Sequence, residues 1–207
     1  RLDATRVLRH SVSLFTPIAL DHMSYLGPDV AAIAGEKGAV LEDGAPAYSA
    51  PQLPEVAMVL RDLASRWSVP LTFVEPLPRA PQGLAGEHQR INAALALAGA
   101  RHLDPTIVAE DLDGVRWPGR LERHAIGAGA VIFDVAHNPH GIAALVTHLH
   151  STPTARRALL FGCLADKDAP AMLAALARRG APPAAAPPPA SGASTAGAAV
   201  SGAQPQS

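Results

Sequence analysis

Residues 130–139 read Ala-Val-Ile-Phe-Asp-Val-Ala-His-Asn-Pro, and residues 140–149 continue His-Gly-Ile-Ala-Ala-Leu-Val-Thr-His-Leu. The run of β-branched and aromatic residues up to Val135 predicts a strand. A helix is predicted after it: Asn138 is a capping residue, Pro139 suits a first turn, and Ile142, Leu145, Val146 and Leu149 recur on one helical face. A strand that feeds a helix through a short polar loop is the building unit of α/β folds, and ligands bind in such folds at the carboxyl ends of the strands. Asp134 and His137 lie there.

The unit repeats downstream. Residues 158–161, Ala-Leu-Leu-Phe, predict a strand that runs through Gly162 into the charged loop Asp166-Lys167-Asp168 and a helix that stops at Gly180. Upstream, residues 12–20 predict a strand ending at Asp21 and His22, and residues 28–38 a helix entered through Gly27-Pro28-Asp29. A short strand at 39–41 and a turn at 42–44 follow. A helix opening at Pro54 then carries Val56, Val59, Leu60, Leu63 and Trp67 at helical spacing, and a strand is predicted at 71–74. The helix predicted at 87–99 turns Ile91, Leu95 and Ala98 inward and sets Gln89 and Asn92 three apart on one face, where their amides could bond a planar ligand or simply meet solvent. This alternation favours a mainly parallel sheet covered by helices. Periodicity fades from 100 to 118, where Asp111–Gly119 reads as a hinge, so domains are expected at 1–116 and 117–180. Residues 181–207 are mostly Ala, Pro, Gly and Ser, with no charge and almost no large apolar side chain, a composition expected to stay disordered.

Among 207 residues, 48% are hydrophobic and the formal net charge is −1, which supports a packed core and gives no basic footprint for nucleic acid or a membrane surface. No stretch is long and apolar enough to span a bilayer, and the single Cys163 forms no internal disulfide, which points to a cytoplasmic chain. One of only two lysines, Lys37, falls with Val30, Ile33 and Ala34 on a single stripe of its predicted helix. A partly desolvated lysine there offers its amine for covalent chemistry, carbamate formation included; a snorkelling lysine at a helix end fits the same spacing.

Several segments together resemble the bifunctional folylpolyglutamate synthase/dihydrofolate synthase family of the Mur ligase superfamily. They are Arg1-Leu2-Asp3-Ala4-Thr5, Asp21-His22 with Leu26-Gly27 and Ile33-Ala34-Gly35-Glu36-Lys37, and Glu87-His88-Gln89-Arg90-Ile91-Asn92. Trp117-Pro118-Gly119-Arg120-Leu121-Glu122, Asp134-Val135-Ala136-His137-Asn138-Pro139 and Asp166-Lys167-Asp168 complete the set. The resemblance covers about residues 1–180. It implies an α/β fold: a truncated Mur-ligase-type ATPase domain, then a smaller, incomplete Rossmann-like C-terminal domain and the disordered tail.

The resemblance further implies a ligase that adds L-glutamate to dihydropteroate or folate by way of an acyl phosphate, with ATP and Mg2+, acting as a monomer on small molecules. His22 would ligate a magnesium ion and Lys37, carbamylated, would support the metal. Gln89 and Asn92 would face adenine, Arg120 would reach the phosphates, Asp134 would bond the ribose, and His137 would lie against the nucleotide. As single residues, Asp134 also fits a turn acid, Asn138 a helix cap, Arg120 a salt-bridge partner and Lys167 a solvated loop. No Gly-x-x-x-x-Gly-Lys-Ser/Thr occurs, since Lys37 precedes Gly38 and Lys167 precedes Asp168. The chain alone is therefore expected to be inactive. A peptidoglycan-precursor ligase and a non-catalytic nucleotide-binding remnant are the competing readings.

Overall fold

The computed structural model describes residues 10–20, 26–152 and 157–177, and the backbone of 198–201. The chain divides into two compact units, Arg1–Trp117 and Pro118–Ser207.

In the first unit, strands β1 (Ser13–Phe15), β2 (Ala47–Ser49) and β3 (Leu71–Phe73) form a parallel sheet in that order. Helix α1 (Val30–Gly38) connects β1 to β2, and helix α2 (Pro54–Arg66) connects β2 to β3. Registers Ser13↔Ala47 and Ala47↔Leu71 put Phe15, Ala47 and Leu71 on one face, where they pack with Ile33, Leu41, Val56 and Leu60. On α2 the Arg61 guanidinium stands 4.6 Å from the centroid of Phe73 on this same face. Leu14 points the other way, toward helix α3 (Gln89–Leu103): a Cβ on Gly99 would lie 2.8 Å from Leu14 Cδ1. Helices thus cover both faces of the sheet, as the βαβ alternation requires.

Three local expectations are corrected. Residues 39–41 are not a strand; Ala39–Asp43 form a 3-10 turn with Leu41 fully buried, because a three-residue apolar run has no period to separate strand from helix. The unforeseen strand β2 is only Ala-Tyr-Ser between Pro46 and Pro51, yet it is bonded on both sides. Helix α1 starts after Pro28, with Asp29 as its cap, Oδ1 accepting the Ala32 N–H at 2.8 Å.

Where the β1–β2 ladder stops, a side chain takes over. Its last backbone rung is Ala50 N–H to Phe15 O, 2.8 Å, and Pro17 and Pro51 have no N–H with which to continue. Gln52 substitutes: Oε1 accepts the Ile18 N–H at 2.8 Å, while Nε2 donates to Thr16 O at 3.0 Å and Ser49 Oγ at 3.1 Å.

The 3-10 segment Ala109–Gly114 is fastened to the loop after β3. Arg79 donates to both Asp113 oxygens at 2.7 Å, and Gln82 N–H donates to Oδ1 at 3.0 Å. The Arg79 hydrogen bonds, then that of Gln82, hold the Asp113 carboxyl at about 2, below its ordinary 3.8, and the pair raises Arg79. A depressed folded-state pKa contributes stability above the unfolded value, lost as pH falls through the folded one. Urea midpoints for the unaltered chain are therefore expected to fall as the pH drops from 3.8 toward about 2, and Asp113→Asn to flatten that slope. Asp104 and Glu122 are lowered too, by hydrogen bonds from Thr106 and from the Gly119 N–H, and add acid sensitivity of the same sign.

The second unit contains the hairpin β4 (Glu122–Ile126) and β5 (Gly129–Phe133), helix α4 (Pro139–Ser151), strand β6 (Ala158–Phe161) and helix α5 (Ala169–Ala177). Strand β7 (Ala198–Ser201) pairs antiparallel with β6. Residues 198–201 are thus a strand inside the segment expected to lack structure; the remainder of that segment, and the expected helix end at Gly180, lie outside the described residues. The described strands of this unit form two separate antiparallel pairs instead of one parallel sheet. The two residues between β4 and β5 close the hairpin locally. Ile142, Leu145, Val146, Phe161, Met172, Leu176 and Leu121 build the core. Val131, Ile132 and Phe133 of β5 stay 38, 37 and 55% exposed.

Candidate nucleotide-side site

The turn before β4 and the loop after β5 are built into one another. Gly119 (φ +69°) and Leu121 (φ +51°) are both left-handed, which for leucine costs about 1–2 kcal/mol. Leu121 bears that cost because its side chain is buried in the second core and its N–H is held by Asp134 Oδ2 at 3.0 Å. The other Asp134 oxygen accepts the Ala136 N–H at 2.9 Å. Gly119 donates its N–H to Glu122 Oε2 at 2.8 Å, and its carbonyl accepts the Val135 N–H at 2.9 Å. A Cβ there would lie 2.6 Å from Val135 Cγ1, so this position needs glycine twice over. Between these two pinned residues, Arg120 is exposed.

His137 is exposed beside the turn, its Nδ1 3.0 Å from Val135 O; a carbonyl only accepts, so Nδ1 carries the proton. Asn138 caps α4, Oδ1 accepting the Gly141 N–H at 2.8 Å. The Gly119 N–H, and then His124, hold the Glu122 carboxyl below its ordinary value. Arg120, Asp134 and His137 therefore share one edge of the second unit. Glu122 and Leu121, which fix that edge, had no assigned role in the sequence; the Pro-Gly turn was the available signal, and the distant carboxylate that completes it was not.

Other expected site residues fall differently. Lys37 is exposed in the last turn of α1, and the buried positions are Ile33, Ala34 and Gly38. The inward stripe steps from Ala34 to Gly38, where a Cβ would meet Leu60 and Leu63, and leaves Lys37 on the flank as the helix-end alternative described. Asp21 and His22, like residues 1–9, lie outside the described residues. Gln89 is 5% exposed, so it does not solvate the surface; its amide bonds His88 Nε2 and accepts from Asn92 Nδ2, both at 3.1 Å. The Lys167 side chain is 8% exposed with Nζ 3.7 Å from Asp166 Oδ2, a buried cation where a solvated loop was the simplest expectation. Among the described residues no cluster of three or more His, Cys, Asp or Glu side chains could hold a metal ion.

Residues 119–186 match the Mur ligase, glutamate ligase domain family. A Mycobacterium tuberculosis dihydrofolate synthase/folylpolyglutamate synthase is 36% identical over 85% of this chain and 44% of its own length. The Escherichia coli dihydrofolate synthase/folylpolyglutamate synthase is 32% identical over 84% of this chain and 46% of its own. Among solved structures, the M. tuberculosis folylpolyglutamate synthase complexed with ADP and AMPPCP superposes with a TM-score of 0.70 at 33% identity, covering 84% of this chain and 47% of that one. The chain spans about half the length of the curated relatives it matches. Its residues 119–186 thus carry a Mur ligase glutamate ligase domain, and over most of its length the chain is similar to folylpolyglutamate synthase/dihydrofolate synthases.

Proposed function

We propose that this chain supplies the nucleotide side of an ATP-dependent ligase that joins L-glutamate to dihydropteroate or folate in the cytoplasm, as a monomer. In that reaction a substrate carboxylate oxygen takes the γ-phosphoryl group of ATP and ADP leaves. The glutamate amine then attacks the acyl carbon, phosphate departs with the C–O electron pair, and the amine gives up a proton. Such transfer depends on fixed positive charge near the phosphates and on held geometry. The observation that carries the reading is Arg120, presented to solvent on a turn pinned from both sides, next to Asp134 and His137.

In this reading Arg120 faces the phosphates, Asp134 the ribose, His137 the nucleotide and Asn92 with Gln89 the adenine. Magnesium, when bound, spreads phosphate charge, and His22 with a carbamylated Lys37 are its proposed holders. The described residues offer no completed metal cluster, so the roles above rest on the chain's own groups. A phosphate-release assay with dihydropteroate, ATP and glutamate is expected to stay silent for these 207 residues alone, which contain no phosphate-cradling lysine motif. Calorimetric titration with AMPPCP is the decisive test: the unaltered chain should bind it, and Arg120→Ala should weaken it about tenfold or more. Equal affinity in the two proteins would remove Arg120 from the site.

A further inference from the structure

Resting on that nucleotide reading, we propose that Asp134 is a positioning residue for Arg120, acting through the backbone of Leu121, in addition to any contact it makes itself. Both Asp134 oxygens already accept backbone N–H groups, from Leu121 at 3.0 Å and Ala136 at 2.9 Å. The Leu121 bond matters because it secures a left-handed leucine (φ +51°) that would otherwise relax toward negative φ. Such a relaxation rotates the peptide joining Arg120 to Leu121 and re-aims the Arg120 side chain. The Leu121 side chain cannot follow freely, being 4% exposed within the core of the second unit. On the other side the Gly119 carbonyl receives Val135 N–H at 2.9 Å, so the residue following Asp134 grips the same turn. Two contacts from 134–135 therefore set where the guanidinium emerges. A carboxylate has about four acceptor positions, so Asp134 can hold Leu121 and still offer an oxygen to a hydroxyl.

The two roles make opposite predictions for nucleotide analogues. A group that acts through Arg120 loses phosphate recognition when removed; a group that only bonds ribose loses discrimination between hydroxyl and deoxy sugars. The experiment is a double-mutant cycle on the full chain with Asp134→Asn, Asp134→Ala, Arg120→Ala and the doubles, titrated with ATP, 2′-deoxy-ATP, 3′-deoxy-ATP and adenosine. Asp134→Asn keeps the side-chain shape and one acceptor, and amide exchange at buried Ile142 reports whether each variant keeps its core.

The expected result is that Asp134→Ala weakens ATP about tenfold with little change for adenosine, and that adding it to Arg120→Ala has almost no further effect. Raised exchange at the Leu121 amide with Ile142 still protected would accompany it. Independent effects that multiply in the double variant, with discrimination between the ribo and deoxy nucleotides lost, would overturn the proposal and leave Asp134 a ribose ligand only. Failure of the unaltered chain to bind ATP at all would instead overturn the ligase reading, and this proposal with it.

Discussion

Leu60→Ala is expected to lower the stability of the first unit by about 2–5 kcal/mol, the range for emptying a fully buried leucine site. Leu60 has no exposed surface and sits where α2 meets α1, beneath Gly38 and among Ile33, Leu41 and Val56. The neighbours that could close the gap are themselves immobilised. Gly38 cannot gain bulk without striking Leu63, and Leu41 is held by a 3-10 turn with little slack. Urea unfolding of the two proteins, followed by helical circular dichroism, measures the effect. Because the second unit has its own core, a transition at the unaltered midpoint should persist for it.

Gly83→Ala is expected to be damaging for the reverse reason. An added Cβ would run into the backbone carbonyl of Val115 and the guanidinium of Arg116, and the backbone contact cannot swing aside. The chain would have to part the segment ahead of α3 from the residues that follow the 3-10 turn Ala109–Gly114. A loss of about 1–3 kcal/mol follows from overpacking of this kind. If close approach is the cause, the Arg79 and Asp113 fastening should loosen with it. The acid-side slope of stability assigned to Asp113 would then shrink in Gly83→Ala, and thermal melts between pH 3.8 and 2 would show it.

The parts of the fold legible in the sequence were those with a long enough period. The α2 stripe through Val56 and Leu60 carries its pattern over many residues and lies where expected, and in the first unit helices alternate with parallel strands as the pattern favoured. The three-residue strand β2 carries none; pairing with β1 and β3 makes it a strand, and no property of Ala-Tyr-Ser announces that. Lys37 shows a related limit, its spacing fitting both an apolar-stripe and a helix-end position, of which the structure has the second. Spacing alone puts it within reach of the apolar stripe, but which edge of a stripe is covered depends on the neighbouring helix, here α2 against Gly38. For the site, residue types and motifs pointed to Arg120, Asp134 and His137. That Asp134 bonds the backbone thirteen residues earlier is a tertiary fact, visible only once the hairpin has brought the two strands together.

The amide of Gln52 gives the protein a rung that belongs to a side chain. Backbone rungs can be changed only by shifting a strand and everything attached to it, whereas this one can be strengthened, weakened or deleted by a single codon with the register of the sheet untouched. The exit from β1 is accordingly an adjustable joint in an otherwise rigid frame, and an isosteric Gln52→Met exchange would disconnect it without removing bulk.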